Sequence, residues 1–230
     1  MCLKGVMKHM KYRDDSELFE TMEQRLYSSV ISDILDSMGY YNQAMRADIN
    51  PVWPGAVVAG RAHTCLSVDI YELKQNPYEN EIAAVDTLKP NDVLVAGTNC
   101  STETALWGEL LSTAARARGA RGAIIDGYTR DVARIRDMKF PLFATGTRPL
   151  DSKGRSIVLE YGRPVKCGGV LVNEGDIVLA DIDGVIVIPQ QIADEVIDKA
   201  LEKASGEDTF REELLRGALL RDVYRKYGFL

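Results

Sequence analysis

Residues 107–131 read WGELLSTAARARGARGAIIDGYTRD. From Leu106 to Arg118 small and apolar residues (Leu106, Leu110, Ala114, Ala117) recur at helical spacing, and Gly119 stands where a C-terminal cap belongs. The apolar run Ala123-Ile124-Ile125 then reads as a buried strand. It drops into Asp126-Gly127-Tyr128-Thr129-Arg130-Asp131, and a second amphipathic stretch follows with Val132, Ile135 and Met138. Helix, strand and helix in that order predict an α/β fold, in which ligands gather beyond the carboxyl ends of the strands. The loop at that end carries an arginine beside a carboxylate.

Arg130-Asp131 supports two readings. In the first, Asp131 is the N-cap of the following helix and Arg130 is solvated, and on these two residues alone this reading is preferred. In the second, Arg130 is a two-pronged clamp for a substrate carboxylate, and Asp131 is a ligand for a hard divalent cation. Gly108-Glu109-Leu110-Leu111 shifts the balance to the second. A glycine near a helix start exposes first-turn amides to an anion, and Glu109 could face the same cation.

The chain has 230 residues, 46% of them hydrophobic, enough to bury a full core. A net charge of -6 argues against a nucleic-acid surface. Arg116, Arg118 and Arg121 are clustered, but they surround a helix C-terminus, where cations complement the dipole. Cys2, Cys65, Cys100 and Cys167 are too widely spaced for a metal knuckle, and with nothing that marks the chain as secreted a reducing cytoplasmic setting is expected. With His9 and His63 the only histidines, zinc is poorly supplied, and an oxygen-held Mg²⁺ or Mn²⁺ is the metal expected. The first residues lack the apolar run of a signal peptide, and no membrane partner is expected.

The expected partition is an arm over 1–15, an α/β domain with its N-terminal helices over 16–189, and a helical extension over 190–230. Ser16 is the expected cap of a first helix (Phe19, Met22, Leu26), and Ser29 that of a second, stopped by Gly39. The segment from Ala56 to Asp69 reads as a strand in which His63 is a satisfied sheet residue, and Val93 to Ala96 as another. After the strand Pro141 to Ala144 comes a long loop, 145–155, in which Arg148 is a candidate anion contact. The stretch from Ser156 to Pro189 reads as consecutive strands, and 190–204 and 208–226 as two helices broken at Ser205-Gly206. The last of these must dock on something, and through it Glu212 or Glu213 could reach a neighbouring subunit's site.

WGELLSTAARARGARGAIIDGYTRD, FPLFATGTRP and PVKCGGVLVNEGDIVLADIDGVIVIP together resemble the RraA-like superfamily. This group joins regulators of ribonuclease activity to 4-hydroxy-4-methyl-2-oxoglutarate aldolases. The resemblance implies a swivelling three-layer ββα domain with flanking N- and C-terminal helices, assembled as homotrimers or hexamers with sites between subunits. It implies substrate contacts from Gly108, Glu109, Leu110, Leu111 and Arg130, and a metal on Asp131. Glu109 takes the position of an acidic residue that holds metal-bound water in the aldolases. Arg130, Glu109 and Asp131 are then the expected catalytic set. The segment from Asp69 to Asn80 is longer than the family pattern.

The implied chemistry suits these residues. Cleaving a carbon-carbon bond beside a 2-oxo acid leaves an enolate, whose charge a chelated cation stabilises. The same enolate forms when oxaloacetate loses carbon dioxide. No Schiff-base lysine is needed, and neither Lys89 nor Lys139 has the desolvated setting that one requires. A methyltransferase is disfavoured because no Gly-x-Gly loop follows the first strand. The alternative is a non-enzymatic protein that binds and restrains an RNA-processing ribonuclease.

Overall fold

The computed structural model describes residues 12–228. In chain order the elements are α1 (Asp15–Arg25), α2 (Ser28–Ser37), β1 (Asn50–Pro51), β2 (Val58–Asp69), α3 (Glu79–Asp86), β3 (Asp92–Gly97), β4 (Ala105–Trp107) and α4 (Glu109–Ala117). Then come β5 (Gly122–Thr129), α5 (Val132–Asp137), β6 (Leu142–Thr147), β7 (Ser156–Tyr161), β8 (Val165–Cys167), β9 (Val170–Val172), β10 (Ile177–Asp181), β11 (Gly184–Ile188), α6 (Ala193–Leu215) and α7 (Leu220–Tyr227).

Nine strands form one sheet along the path β1-β6-β5-β3-β2-β10-β11, with β4 beside β5 and β7 beside β2. Its centre is parallel (β2, β3, β5, β6), which follows from the helical crossovers between these strands. The 12-residue β2 is shared: β10 pairs with its first half and β7 with its second. Side chains alternate across a strand, and the core divides accordingly. Val93, Val95, Ile124 and Phe143 pack on the β8–β9 hairpin through Val165, Cys167, Val170 and Val172. Leu94, Ala96, Ala123, Ile125 and Leu142 face α3, α4 and α5 through Ala84, Val85, Ala115 and Ile135. Hairpin, sheet and helices are the three layers of a ββα domain. The flanking helices α1, α2 and α6 cover Ala59, Ile177, Leu179 and Ile186. Among the described residues no helix is long and apolar enough to cross a membrane.

Several local expectations change. Residues 1–11 of the expected arm lie outside the described residues, and Asp14, not Ser16, caps α1 by accepting from the Glu17 amide at 3.0 Å. The second helix begins at Ser28, one residue before the expected cap Ser29. Its first amide and hydroxyl are taken, both at 2.7 Å, by Asp181 at the end of β10, so a distant carboxylate supplies the cap. The central helix starts only at Glu109; Ala105, Leu106 and Trp107 are a short, fully buried strand beside β5. Three apolar residues in a row fit either element, and burial decided the matter here.

The Ser205-Gly206 break is absent: α6 runs through it, and the chain turns at Gly217 instead, where φ is 91°. An interior glycine costs a helix about 1 kcal/mol. Contacts on both sides offset this, since Ser205 Oγ bonds the Leu201 carbonyl at 2.9 Å, Tyr27 donates to Glu207, and Phe210 is buried.

Candidate active site

β5 ends at Thr129, and its last turns are tied to the neighbouring β4. The Trp107 carbonyl accepts from both the Arg130 amide (2.9 Å) and Thr129 Oγ1 (2.8 Å). This places Arg130 and Asp131 at the N-terminus of α4, although 22 residues separate Asp131 from Glu109 in sequence. Asp131 adopts a left-handed conformation (φ 61°, ψ 26°), which a short polar side chain tolerates at low cost. It occupies the N-cap position of α5 without capping it. Its Oδ2 instead accepts from the Glu109 amide at 3.2 Å. The cap reading of this residue is therefore corrected: the carboxylate serves a different helix.

Gly108 makes that approach possible. A Cβ there would stand 2.7 Å from Asp131 Oδ2 and 3.2 Å from Arg130 Cγ. The glycine backbone is extended, so its value lies in the space it leaves. Beyond it, Leu110 and Leu111 are first-turn residues whose amides have no intrahelical acceptor. The Leu110 side chain is exposed. Glu109 meets Asp131 through its backbone, while its carboxylate turns along the helix and accepts from Thr113 Oγ1 at 2.9 Å.

Arg130 lies between two carboxylates, with Nε 3.6 Å from Asp131 Oδ2 and Nη1 3.4 Å from Asp151 Oδ1. Both distances exceed the roughly 2.7–2.9 Å of a charge-assisted hydrogen bond, so the fork is held in position but not closed. Arg148, the other candidate anion contact, donates to the Thr102 carbonyl. His63 is the satisfied sheet residue expected, with Nδ1 2.9 Å from Glu174 Oε1.

Three neighbours of Arg130 went unmarked in the sequence: Tyr78, Glu81 and Asp151. The β6–β7 loop folds back over the end of β5, since the Arg148 amide bonds the Thr129 carbonyl and the Ala105 amide bonds that of Leu150. This brings Asp151 to Arg130. Tyr78 donates to Asp151 Oδ2, and Ser152 Oγ donates to Glu81 Oε2 at 3.1 Å. Burial pushes the Glu81 carboxyl up to about 7; the Ser152 hydroxyl and the Arg130 charge pull the other way, and Asp151 adds to the rise. No sequence motif marks these residues. The unusual length of 69–80, which leads into α3, was the one available signal.

The donor set is all oxygen and suits a hard cation. Among the described residues no group of three or more His, Cys, Asp or Glu is arranged to hold a metal. Mg²⁺ accepts such sparse ligation, taking one or two carboxylates and completing its shell with water and substrate oxygens.

An arginine, a carboxylate and free helix amides at the edge of a ββα domain now stand beside the comparisons. Residues 28–187 match the RraA-like family, described as Aldolase/RraA. The chain belongs to the RraA-like family. A protein of Halalkalibacterium halodurans, named "Putative 4-hydroxy-4-methyl-2-oxoglutarate aldolase", is 30% identical over 86% of this chain and 88% of its own length. Protein DlpA of Legionella pneumophila is 30% identical over 88% of this chain, which spans only 32% of that longer protein. Among solved structures, RraAS2 of Streptomyces coelicolor, titled an unusual member of the RNase ES inhibitor RraA protein family, superposes with a TM-score of 0.76. It is 29% identical over 87% of this chain and 98% of its own. The RraA-like fold expected from the three sequence motifs is thus the one observed.

Proposed function

We propose that this RraA-like protein is a divalent-metal-dependent carbon-carbon lyase. It cleaves a 4-hydroxy-2-oxo acid to pyruvate and a second carbonyl product, and decarboxylates oxaloacetate as a side reaction. The observation that carries this reading is the unclosed guanidinium of Arg130, which stands with Asp131 against the free N-terminus of α4. Arg130 and the Leu110 and Leu111 amides bind the 1-carboxylate from two sides and orient the 2-oxo group toward Asp131. Asp131 would hold the cation, with Glu109 beside it, and that cation when bound supplies Lewis-acid stabilisation of the enolate charge. The aldolase name of the Halalkalibacterium relative supports the reaction class. The reading includes a homotrimer or hexamer, supported by the exposed Leu215, Leu219, Leu220 and Tyr224 at the turn from α6 to α7.

The test is pyruvate release from a panel of 4-hydroxy-2-oxo acids and from oxaloacetate, with Mg²⁺, with Mn²⁺ and with EDTA. We expect turnover that EDTA abolishes and either metal restores. The second reading, a protein that restrains a ribonuclease, is supported by the likeness to RraAS2. Absence of both reactions together with saturable inhibition of an RNA-processing ribonuclease would establish it instead.

A further inference from the structure

His63 is 6% exposed, and both of its ring nitrogens meet acceptors. Nδ1 lies 2.9 Å from Oε1 of Glu174, in the turn between β9 and β10. The other oxygen of Glu174 takes the Thr64 amide at 2.8 Å. Burial resists ionisation of this carboxyl, but His63 and the Thr64 amide outweigh it and hold it below its ordinary value. An ionised carboxylate only accepts, so Nδ1 carries a proton. Nε2 faces the end of α3, where it meets Thr87 Oγ1 at 3.3 Å and the Ala84 carbonyl. The one proton of the Thr87 hydroxyl is drawn to the Ala83 and Ala84 carbonyls, at 2.9 and 3.1 Å, which leaves a lone pair for the ring. Nε2 then carries a proton as well. A ring with two N–H groups is an imidazolium.

We infer that His63 is a pH-sensitive latch: charged, it holds the C-terminal end of α3 to β2, and on losing its proton it lets that end go. The neutral ring keeps its Nδ1 proton, because the Glu174 carboxylate cannot donate one. A lone pair at Nε2 is then directed at Thr87 and the Ala84 carbonyl. Thr87 can satisfy it only by withdrawing its proton from the carbonyls of α3, and the positive charge that complements the end of the helix dipole is lost. The cost therefore falls on the helix. The turn at Glu174 stays in place through two backbone bonds to Ala62, from the Gly175 amide at 2.9 Å and to the Asp176 carbonyl at 2.7 Å.

The other charged and titratable groups around His63 are Asp92 at the start of β3, Lys89 just before it, Tyr161 at the end of β7 and Arg61 on β2 itself, which Asp15 neutralises. Asp86, the last residue of α3, is engaged by Arg118. Burial alone would lower the proton affinity of the ring; Glu174, Asp92 and the Ala84 carbonyl outweigh it and raise the pKa above the ordinary 6.5. A cavity of about 580 Å³ opens on this cluster and gives the buried ring a route for proton exchange. What the latch holds reaches the receptive site. α3 has eight residues; Glu81 in its first turn takes the Ser152 hydroxyl, and Tyr78 just before it donates to Asp151, which faces Arg130.

The test needs no substrate, so its outcome is independent of the lyase reading. His9 is the only other histidine, and His9→Gln assigns the signals in long-range ¹⁵N–¹H NMR. Both nitrogens of His63 should carry protons below pH 6.5, with a titration midpoint above that value. A group raised in this way stabilises the closed helix fully below 6.5 and loses that effect as pH rises through the midpoint. Hydrogen exchange at the Ile82 and Thr87 amides, which bond the Tyr78 and Ala83 carbonyls, should thus lose protection about tenfold for each pH unit between the two values. Amides of β3 and β5 should not change. Glu81 lies on the same helix and is shifted the same way, so exchange is measured in Glu81→Gln, where the loss due to His63 should persist. Glu174→Gln should lower the midpoint by about 1 to 3 pH units and remove the loss of protection. A ring that is neutral below pH 6.5, α3 protection independent of pH in Glu81→Gln, or a midpoint unmoved by Glu174→Gln overturns the latch.

Discussion

Two arginine–aspartate pairs flank β5, and they are built differently. Asp126 lies within the strand at 2% exposure, and both of its oxygens are used: Arg46 Nη2 reaches Oδ1 at 2.6 Å and the Gly168 amide reaches Oδ2 at 3.1 Å. Arg46 is further occupied by Asp48 and Cys100. Four residues on, Arg130 approaches Asp131 and Asp151 only at 3.6 and 3.4 Å, with more than a third of each side chain exposed. The first pair joins the β8–β9 hairpin to the sheet, and its groups are taken up by protein partners. The second has donors directed and unfilled, which is the arrangement expected of groups that wait for a substrate. Similar residue types on one strand thus divide into a structural pair and a receptive one by distance and burial.

The largest effects should separate the pairs. Arg46→Ala leaves the Asp126 carboxylate buried without its cation, and breaking such a pair costs about 3–5 kcal/mol. Urea denaturation should therefore show a large drop in midpoint. Arg130→Lys should leave the midpoint nearly unchanged, because exposed pairs contribute about 0–1 kcal/mol. Lysine lacks the planar fork, so turnover should fall about 10²- to 10³-fold in cleavage and decarboxylation alike. If both variants lost stability equally while Arg130→Lys kept its turnover, the distinction between the pairs would collapse.

Gly108→Ala sharpens the contrast at a single methyl group. The backbone conformation suits alanine, but the new Cβ would meet Asp131 Oδ2 at 2.7 Å, and the carboxylate must move. A displacement of about 1 Å at a reacting centre can cost about 10²-fold in rate. That loss in kcat, with a circular dichroism melt close to wild type, is the expected result. Wild-type turnover would show that the close approach of Asp131 to α4 is not used.

The parts of the site that could be read in the sequence are those that secondary structure alone brings together. Gly108 to Leu111 begin a helix, Arg130 and Asp131 end the next strand, and any helix–strand–helix unit sets such segments near each other. The same reasoning found β3 and β5 from their apolar runs. It failed where a distant partner decides. Asp181, 153 residues from Ser28, caps α2 in place of a local hydroxyl, and Tyr27, 180 residues from Glu207, helps hold α6 straight through a glycine. Glu81 and Ser152 meet across 71 residues through a loop without periodicity, so neither Glu81 nor Asp151 carried a signal. What remained hidden is tertiary: short polar residues on loops acquire a role only when the fold supplies their neighbours.

The smallest predicted effect concerns the burial of Glu81 and is visible without any substrate. Burial raises its folded-state pKa to about 7, above the ordinary carboxyl value of 4.5. A group raised in this way contributes stability fully present below the unfolded pKa and lost as pH rises through the folded one, because the native state then carries a buried charge. Wild type should therefore lose stability between pH 5 and pH 8 by an amount on the order of 2 kcal/mol from this group. Glu81→Gln never ionises and should escape that loss. Its melting temperature relative to wild type should rise by about 5 °C on going from pH 5 to pH 8, since 1 kcal/mol moves a chain of this size by about 2–4 °C. The Arg46–Asp126 pair provides the control: Asp126→Asn removes a buried carboxylate that Arg46 and the Gly168 amide hold, and should be destabilising at both pH values. A pH-independent difference between Glu81→Gln and wild type would mean that Glu81 is solvated in the native protein, and would place it with the exposed carboxylates of the surface and outside the receptive cluster around Arg130.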